Sequence, residues 1–316
     1  MSWTILVGGE ALVDLVPAAA TRPGELGALL PLPGGGPYNV AITLGRLGAD
    51  VRFLSRLSTD DFGDALLTRL ELSGVDTAMI QRGQEPTTLA VAGIGPDGSA
   101  RYSFHVEGTA DREVEHPGPL PDEIGIVSLG TLSLVLEPGA TRYERLLRDH
   151  AARGRLTVVD PNIRSAMIAD PAAYRARFLS WLPDIGLLKL SIEDAAWLAD
   201  GGDPQHAVKG WLGAGPAAAV MTRGADGLVA ITASGHEVTV PTVPAEVVDT
   251  IGAGDTVHGA LLFWLHNAGI STPDGLREIG ADAWREALDF AARAAAITVS
   301  RAGAEPPYAA ELGIHP

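Results

Sequence analysis

The chain has 316 residues, 46% of them hydrophobic, no cysteine and a formal charge of −16. That length supplies a large core, either one big α/β domain or a large domain with a smaller one beside it. Missing cysteines exclude disulfides, thiolate zinc sites and cysteine nucleophiles and fit a reducing cytoplasm, while the acidic charge argues against a nucleic-acid footprint and demands local positive potential at any phosphate site.

The opening stretch "MSWTILVGGEALVDLVPAAATRPG" reads as a strand and not as a signal peptide. No Lys or Arg precedes Arg22, and Glu10 and Asp14 interrupt the apolar run. No run approaches the roughly 18 apolar residues of a membrane span, so a soluble, cytoplasmic protein is expected. "GGGPYNVAITLGRLGAD" reads as a glycine loop followed by a helix from Pro37, with Val40, Ala41, Leu44 and Leu47 on one face and Gly48 as its stop. "VRFLSRLS" is the next strand, and "DDFGDALLTRLELSG" a helix closed by Gly74. "TTLAVAGI", "GPDGS" and "ARYSFHV" then form a hairpin around a Pro-Asp-Gly turn. An antiparallel piece inside a βα series implies an appended sheet or lid. The βα alternation resumes with "IGIVSLG", "RLTVVDPN", "IGLLKLS" and "AAAVMTRGADG", a second hairpin follows in "GLVAITASGHEVTVPTV", and "DAWREALDFAARAAAITVSR" is helical.

Near-continuous apolar strands alternating with helices predict a three-layer α/β fold, a mostly parallel sheet covered on both faces. In such sheets ligands bind beyond the carboxyl ends of the strands. The residues there are Gly130, then Asp160, Asn162 and Arg164, then Lys189 and Ser191, then Thr222 and Gly224, with the 252–255 turn after a further extended segment.

Two glycine turns that run into helices carry the functional signal. "GAGD" entering "TVHGALLFWL" presents successive backbone amides at a helix start, a place to stabilise a transferring phosphoryl group. On this motif alone Asp255 has two readings, a first-turn carboxylate favoured by the helix dipole or a catalytic group. "GGGPYN" (Gly34 to Asn39) lets the backbone approach a polyhydroxylated ligand, and the Asn39 amide can donate to and accept from its hydroxyls. Asp14 is an acceptor-only carboxylate suited to two vicinal hydroxyls.

Together these segments resemble the ribokinase-like (PfkB) carbohydrate kinase family, from "GEALVDLVP" to "SRAGA". Within it "GEALVDL", "DPNIR", "KLSIED" and "GTADR" look most like the fructokinase-like branch. The resemblance implies one kinase domain with a small β-sheet lid from about residues 11–33 and 84–110, which in many relatives forms a homodimer interface. It implies transfer of the γ-phosphoryl group of ATP to a hydroxymethyl of a small sugar, fructose or a similar ketohexose. Asp255 would be the base and Gly252, Ala253 and Gly254 the anion hole. Asp14, Gly34, Gly35, Asn39, Phe104 and Arg164 would hold the sugar. Lys189, Ser191, Thr222, Gly224 and Gly227 would line the ATP, and Asp194 would organise Mg²⁺ through water.

Several residues depart from the pattern. "SIED" places Ser191 and Asp194 where the family usually carries Asn and Glu. His105 and Val106 stand where relatives that use sugar acids carry a lid arginine, which counts against such substrates because a carboxylate wants a fixed guanidinium. Arg164 compensates in part. Glu305 replaces a smaller polar residue near the monovalent-cation loop around Asp249 and Ile251, which argues against potassium (K⁺) activation.

Competing readings keep the fold and change the acceptor to ribose, 2-keto-3-deoxygluconate or a nucleoside, or make the chain a non-catalytic sugar- or nucleotide-binding regulator. A dehydrogenase is disfavoured because "VGGEAL" lacks the GxGxxG spacing, and a P-loop kinase because no GxxxxGK[ST] occurs. His258 is expected to pack beneath the site, Arg293 to be solvated, and Trp181, Trp197, Trp211, Trp264 and Trp284 to fill core or interface.

Overall fold

The structure, a computed structural model, describes residues 3–18, 27–94 and 100–314. The Pro-Asp-Gly turn of the first hairpin and residues 19–26 of the expected lid lie outside the described residues.

An eight-stranded sheet forms the centre. Val51–Leu54, Thr4–Gly8, Ile124–Gly130, Leu156–Asp160, Leu187–Ser191 and Ala218–Thr222 are neighbours in that order and run parallel. Leu228–Thr232 and Glu237–Val240 complete one edge as antiparallel strands. Successive residues of a strand point to opposite faces, and both faces here are buried. Ile5 and Val7 belong to one hydrophobic cluster while Leu6 belongs to the other, and Ala218 and Val220 are split from Ala219 and Met221 in the same way. The strands therefore read as unbroken apolar runs.

The first cluster also contains residues of the helices Gly36–Leu47, Asp61–Leu72, Ala253–Asn267 and Ala281–Val299, and the second contains those of Gly139–Ala151, Pro171–Trp181 and Pro204–Leu212. Trp181 and Trp284 are fully buried, whereas Arg293 is exposed. Among the described residues no helix is long and apolar enough to cross a membrane.

A second, four-stranded sheet joins Leu29–Gly34, Leu12–Pro17, Thr88–Ile94 and Ala100–His105. It leaves Leu29, Leu30, Leu32 and Tyr102 exposed.

The segment "VRFLSRLS" differs from its reading as one strand. Val51–Leu54 follows Thr4–Gly8 in the large sheet, and the register ends where Gly8 faces Leu54 and the Gly9 amide donates to the Leu54 carbonyl at 3.1 Å. With its partner strand used up, the chain turns through buried Ser55, and Arg56–Ser58 pairs instead with Gln81–Gly83.

Candidate active site

Two helix starts meet at the carboxyl ends of the parallel strands. Gly35 takes φ +112°, and a Cβ there would stand 2.6 Å from the Glu10 carbonyl oxygen, so only glycine makes this turn. It delivers Asn39 into the first turn of Gly36–Leu47. Gly252 takes φ +76°, and its missing Cβ would stand 2.6 Å from Ala304. It opens the helix Ala253–Asn267, with Asp255 in its first turn.

The Asp255 carboxylate does not cap that helix. Its Oδ2 accepts from Asn39 Nδ2 at 2.9 Å, across 216 residues of sequence, and among the described residues it accepts from no backbone amide of its own helix. Asn39 thus ties the two glycine turns together and orients the carboxylate. Burial pushes the Asp255 carboxyl above the usual carboxylate range, against the opposing pull of the Asn39 hydrogen bond and the Lys189 ammonium. A helix start alone favours a weakly basic, ionised carboxylate. Desolvation reverses that expectation and makes Asp255 a better proton acceptor.

The free amides differ from the sequence reading in one position. The Ala253 N–H donates to the Thr250 carbonyl at 3.3 Å, and Ala253 does not line the cavity. The N–H groups of Gly252, Gly254 and Asp255 have no acceptor among the described residues. The unpaired amides of this turn are therefore those of Gly252, Gly254 and Asp255.

A cavity of about 600 Å³ spans the site, within the size of small-molecule clefts. Its wall includes Asp14, Gly35, Asn39, Phe104 and Arg164, Lys189, Ser191, Asp194 and Thr222, and Gly252, Gly254 and Asp255. Gly34 lies outside the lining, but a side chain there would collide with the Asp14 carboxylate, so its absence makes room for that group. Asp14 is pushed up to about 6, by burial first and by Asp255, with Arg164 opposing. Arg164 is exposed, and its guanidinium donates to Asn162 Oδ1 at 2.7 Å.

Lys189 Nζ lies 2.6 Å from Asp160 Oδ2, and both side chains are buried. Burial works against the Lys189 charge, but the Asp160 carboxylate outweighs it and holds the ammonium protonated. A Cβ on Gly254 would sit 3.4 Å from that Nζ, an ordinary contact, which places the ammonium beside the helix start.

Ser191 and Asp194 form a capping box on Ile192–Leu198. Asp194 Oδ2 accepts from the Ser191 amide at 2.9 Å and from its hydroxyl at 2.8 Å, and Oδ1 accepts from the Ile163 amide at 2.7 Å. Among the described residues no group of three or more His, Cys, Asp or Glu gathers as a metal site.

Gly224 and Gly227 do not line the cavity. Gly227 packs tightly on the backbone of Val240 and Pro241, so a close approach between the edge strands explains that glycine. Asp249 accepts from the amides of Ile251 at 3.0 Å and Gly303 at 2.9 Å, and Glu305 pairs with Arg46 at 2.8 Å and Arg69 at 2.7 Å.

Tyr102 and Glu10 are lining residues that sequence reasoning did not assign to the site. Tyr102 stacks on Phe104 with ring centroids 6.2 Å apart, and period-two alternation along "ARYSFH" already placed the two rings on one face. Glu10 accepts from the Ser133 amide at 3.0 Å through Oε2, while Oε1 has no partner among the described residues. Burial raises it from 4.5 to about 7. The folded chain therefore holds this proton more tightly than the unfolded chain between those values, and stability falls as pH rises through that window. Glu10→Gln removes the slope. Chemical denaturation at about pH 5 and about pH 8 is expected to show the wild type losing roughly 2–3 kcal/mol relative to the variant. Parallel pH profiles for the two proteins would contradict it.

Residues 4–310 match the family model described as pfkB family carbohydrate kinase. The chain is 35% identical over 287 residues to a fructokinase of Rhizobium leguminosarum bv. trifolii, an alignment covering 90% of this chain and 86% of that one. Among solved structures, a fructokinase with bound ATP from Xylella fastidiosa superposes with a TM-score of 0.88 at 27% identity, covering 99% of this chain and 97% of that one. Aminoimidazole riboside kinase from Salmonella enterica, complexed with aminoimidazole riboside and an ATP analogue, superposes with a TM-score of 0.81 at 26% identity and 98% coverage of each chain.

Proposed function

The chain belongs to the pfkB family of carbohydrate kinases, and on that premise we propose that it transfers the γ-phosphoryl group of ATP to a hydroxymethyl of a small neutral sugar, fructose in the first place. The observation that carries this reading is the Asp255 carboxylate. It is buried, raised in basicity, held by Asn39 and free of its own helix amides, and it lines one cavity together with Asp14, Asn39 and Lys189.

In this reading the sugar lies against Asp14, Asn39 and Gly35, with Tyr102 and Phe104 over it and the small sheet as a lid that keeps water from acting as the acceptor. Asp255 takes the proton of the attacking hydroxyl as the new oxygen–phosphorus bond forms and the bond from the γ-phosphorus to the β–γ bridging oxygen breaks, with ADP as the leaving group. Lys189 and the amides of Gly252, Gly254 and Asp255 stabilise charge on the migrating group. Such a transfer has a loose transition state, so placement and charge stabilisation count for more than strong deprotonation. Mg²⁺ would be held through water ordered by Asp194, whose two carboxylate oxygens already accept protein hydrogen bonds. Bound there with the ATP phosphates, it would supply charge neutralisation.

The acceptor preference follows from charge. In this reading Asp14 and Asp255 both face the sugar, against the exposed guanidinium of Arg164. A carboxylated sugar meets like charge there. With saturating ATP, fructose is expected to be turned over with kcat/KM at least about 100-fold above that of 2-keto-3-deoxygluconate. Ribose or a nucleoside as the best acceptor would move the assignment within the family. Binding of sugar and ATP with no turnover of any acceptor would make the chain a regulator.

A further inference from the structure

Adjoining the main cavity, and sharing Gly36, Thr131 and Asp255 with its wall, lies a second cavity of about 10 Å³. Its wall includes Asp160, His258, Ser128, Gly130 and Asp255 itself. The volume suits one water molecule, and the wall is polar enough to hold it. Two buried atoms in this wall lack partners among the described residues, Asp160 Oδ1 and His258 Nδ1. Asp160 is 4% and His258 2% exposed. The other atoms of both residues are engaged. Asp160 Oδ2 takes the Lys189 ammonium at 2.6 Å, and His258 Nε2 lies 3.1 Å from Ser128 Oγ. His258 Nδ1 stands 3.5 Å from Asp160 Oδ2, too far to be satisfied by it.

We propose that His258 and Asp160 fix one buried water against the Asp255 carboxylate, which makes His258 a positioning residue for the base. The hydrogen bonds balance. The water donates to Asp160 Oδ1 and to Asp255 and accepts from His258 Nδ1–H, and the Ser128 hydroxyl donates to Nε2. This one arrangement fixes the histidine tautomer and satisfies both orphaned atoms. It also links the Lys189–Asp160 ion pair to Asp255, so the carboxylate is held by Asn39 from one side and by the water from the other. The charged groups around the water are Asp160, Lys189 and Asp255.

The role as positioning residue rests on the kinase reading above, whereas the water itself does not. Two substitutions separate the two nitrogens. His258→Asn places an amide N–H near the Nδ1 position, and His258→Gln reaches only the Nε2 position and keeps the Ser128 contact. We expect kcat to fall about tenfold in His258→Gln and to stay within about threefold of wild type in His258→Asn, the scale of one hydrogen bond to a charged group. KM for sugar and for ATP should stay within about twofold in both, since neither nitrogen faces a substrate. A merely structural histidine gives the reverse order, because glutamine retains its one protein hydrogen bond, and that order would overturn the proposal. Should the variants not fold, the wild-type crystal decides. An ordered water within about 3.2 Å of Asp160 Oδ1 and His258 Nδ1 is expected, and a dry cavity overturns the inference. That density is read without turnover, so an inactive wild type removes the kinase reading while the water is still tested.

Discussion

Asp255→Asn is expected to lower kcat by roughly 10²–10⁴, the range for loss of a general base, while the affinity for sugar changes by only a few-fold. The asymmetry follows from the geometry. The substituted amide still fills the space and can hydrogen-bond Asn39 through its own oxygen, so the two helix starts stay joined and the cavity keeps its shape. It cannot take a proton. Steady-state kinetics together with calorimetric titration of the sugar separate the two effects. Since burial raises the Asp255 carboxyl, wild-type kcat should also fall on the acid side at a pH above that of an ordinary aspartate, because only the ionised form accepts a proton. A capping carboxylate predicts something else, a loss of stability with turnover nearly intact.

The second large effect concerns stability. Lys189→Met removes the one cation that, among the described residues, lies within hydrogen-bonding distance of buried Asp160 and leaves that carboxylate with His258 at 3.5 Å. Breaking a buried pair on one side costs about 3–5 kcal/mol, because the remaining charge stays desolvated. The Lys189 ammonium now makes the largest single contribution to holding Asp160 below the usual carboxylate range in spite of its burial, and the variant gives it up. The urea midpoint should drop at unchanged slope, and the double variant Lys189→Met with Asp160→Asn should recover at least half of the loss. A single variant within about 1 kcal/mol of wild type, or a double variant no better than the single, would show that the pair does not hold this part of the structure.

Much of the fold is legible in the sequence because local chemistry and tertiary packing agree there. The helix Gly36–Leu47, with Pro37 in its first turn and Gly48 as its stop, and the strands buried on both faces, follow from turn residues and apolar pattern alone. The segment "VRFLSRLS" shows where this stops. Its pattern is continuous β, and the break comes from the length of a neighbouring strand that local sequence does not carry. At the site, the glycine turns mark where a ligand can approach, but each glycine has more than one physical cause. Gly35 opens the cavity, whereas Gly227, in an equally suggestive place after a strand, accommodates the backbone of Val240. Asp255 was legible as a first-turn carboxylate. Its burial and its bond to Asn39 were not, because both depend on residues brought together from opposite ends of the chain. Ser191 and Asp194 carry a readable capping box as well as their suggested nucleotide role, and the two are compatible.

The most direct test is a crystal structure of the chain with fructose and a non-hydrolysable ATP analogue, measured for the distance from each sugar oxygen to the Asp255 carboxylate. The account predicts a hydroxymethyl oxygen within about 3.2 Å of it, in line with a terminal phosphate seated on the amides of Gly252, Gly254 and Asp255. A carboxylate still bound to Asn39 but facing no sugar hydroxyl, with the phosphate away from that helix start, would contradict it.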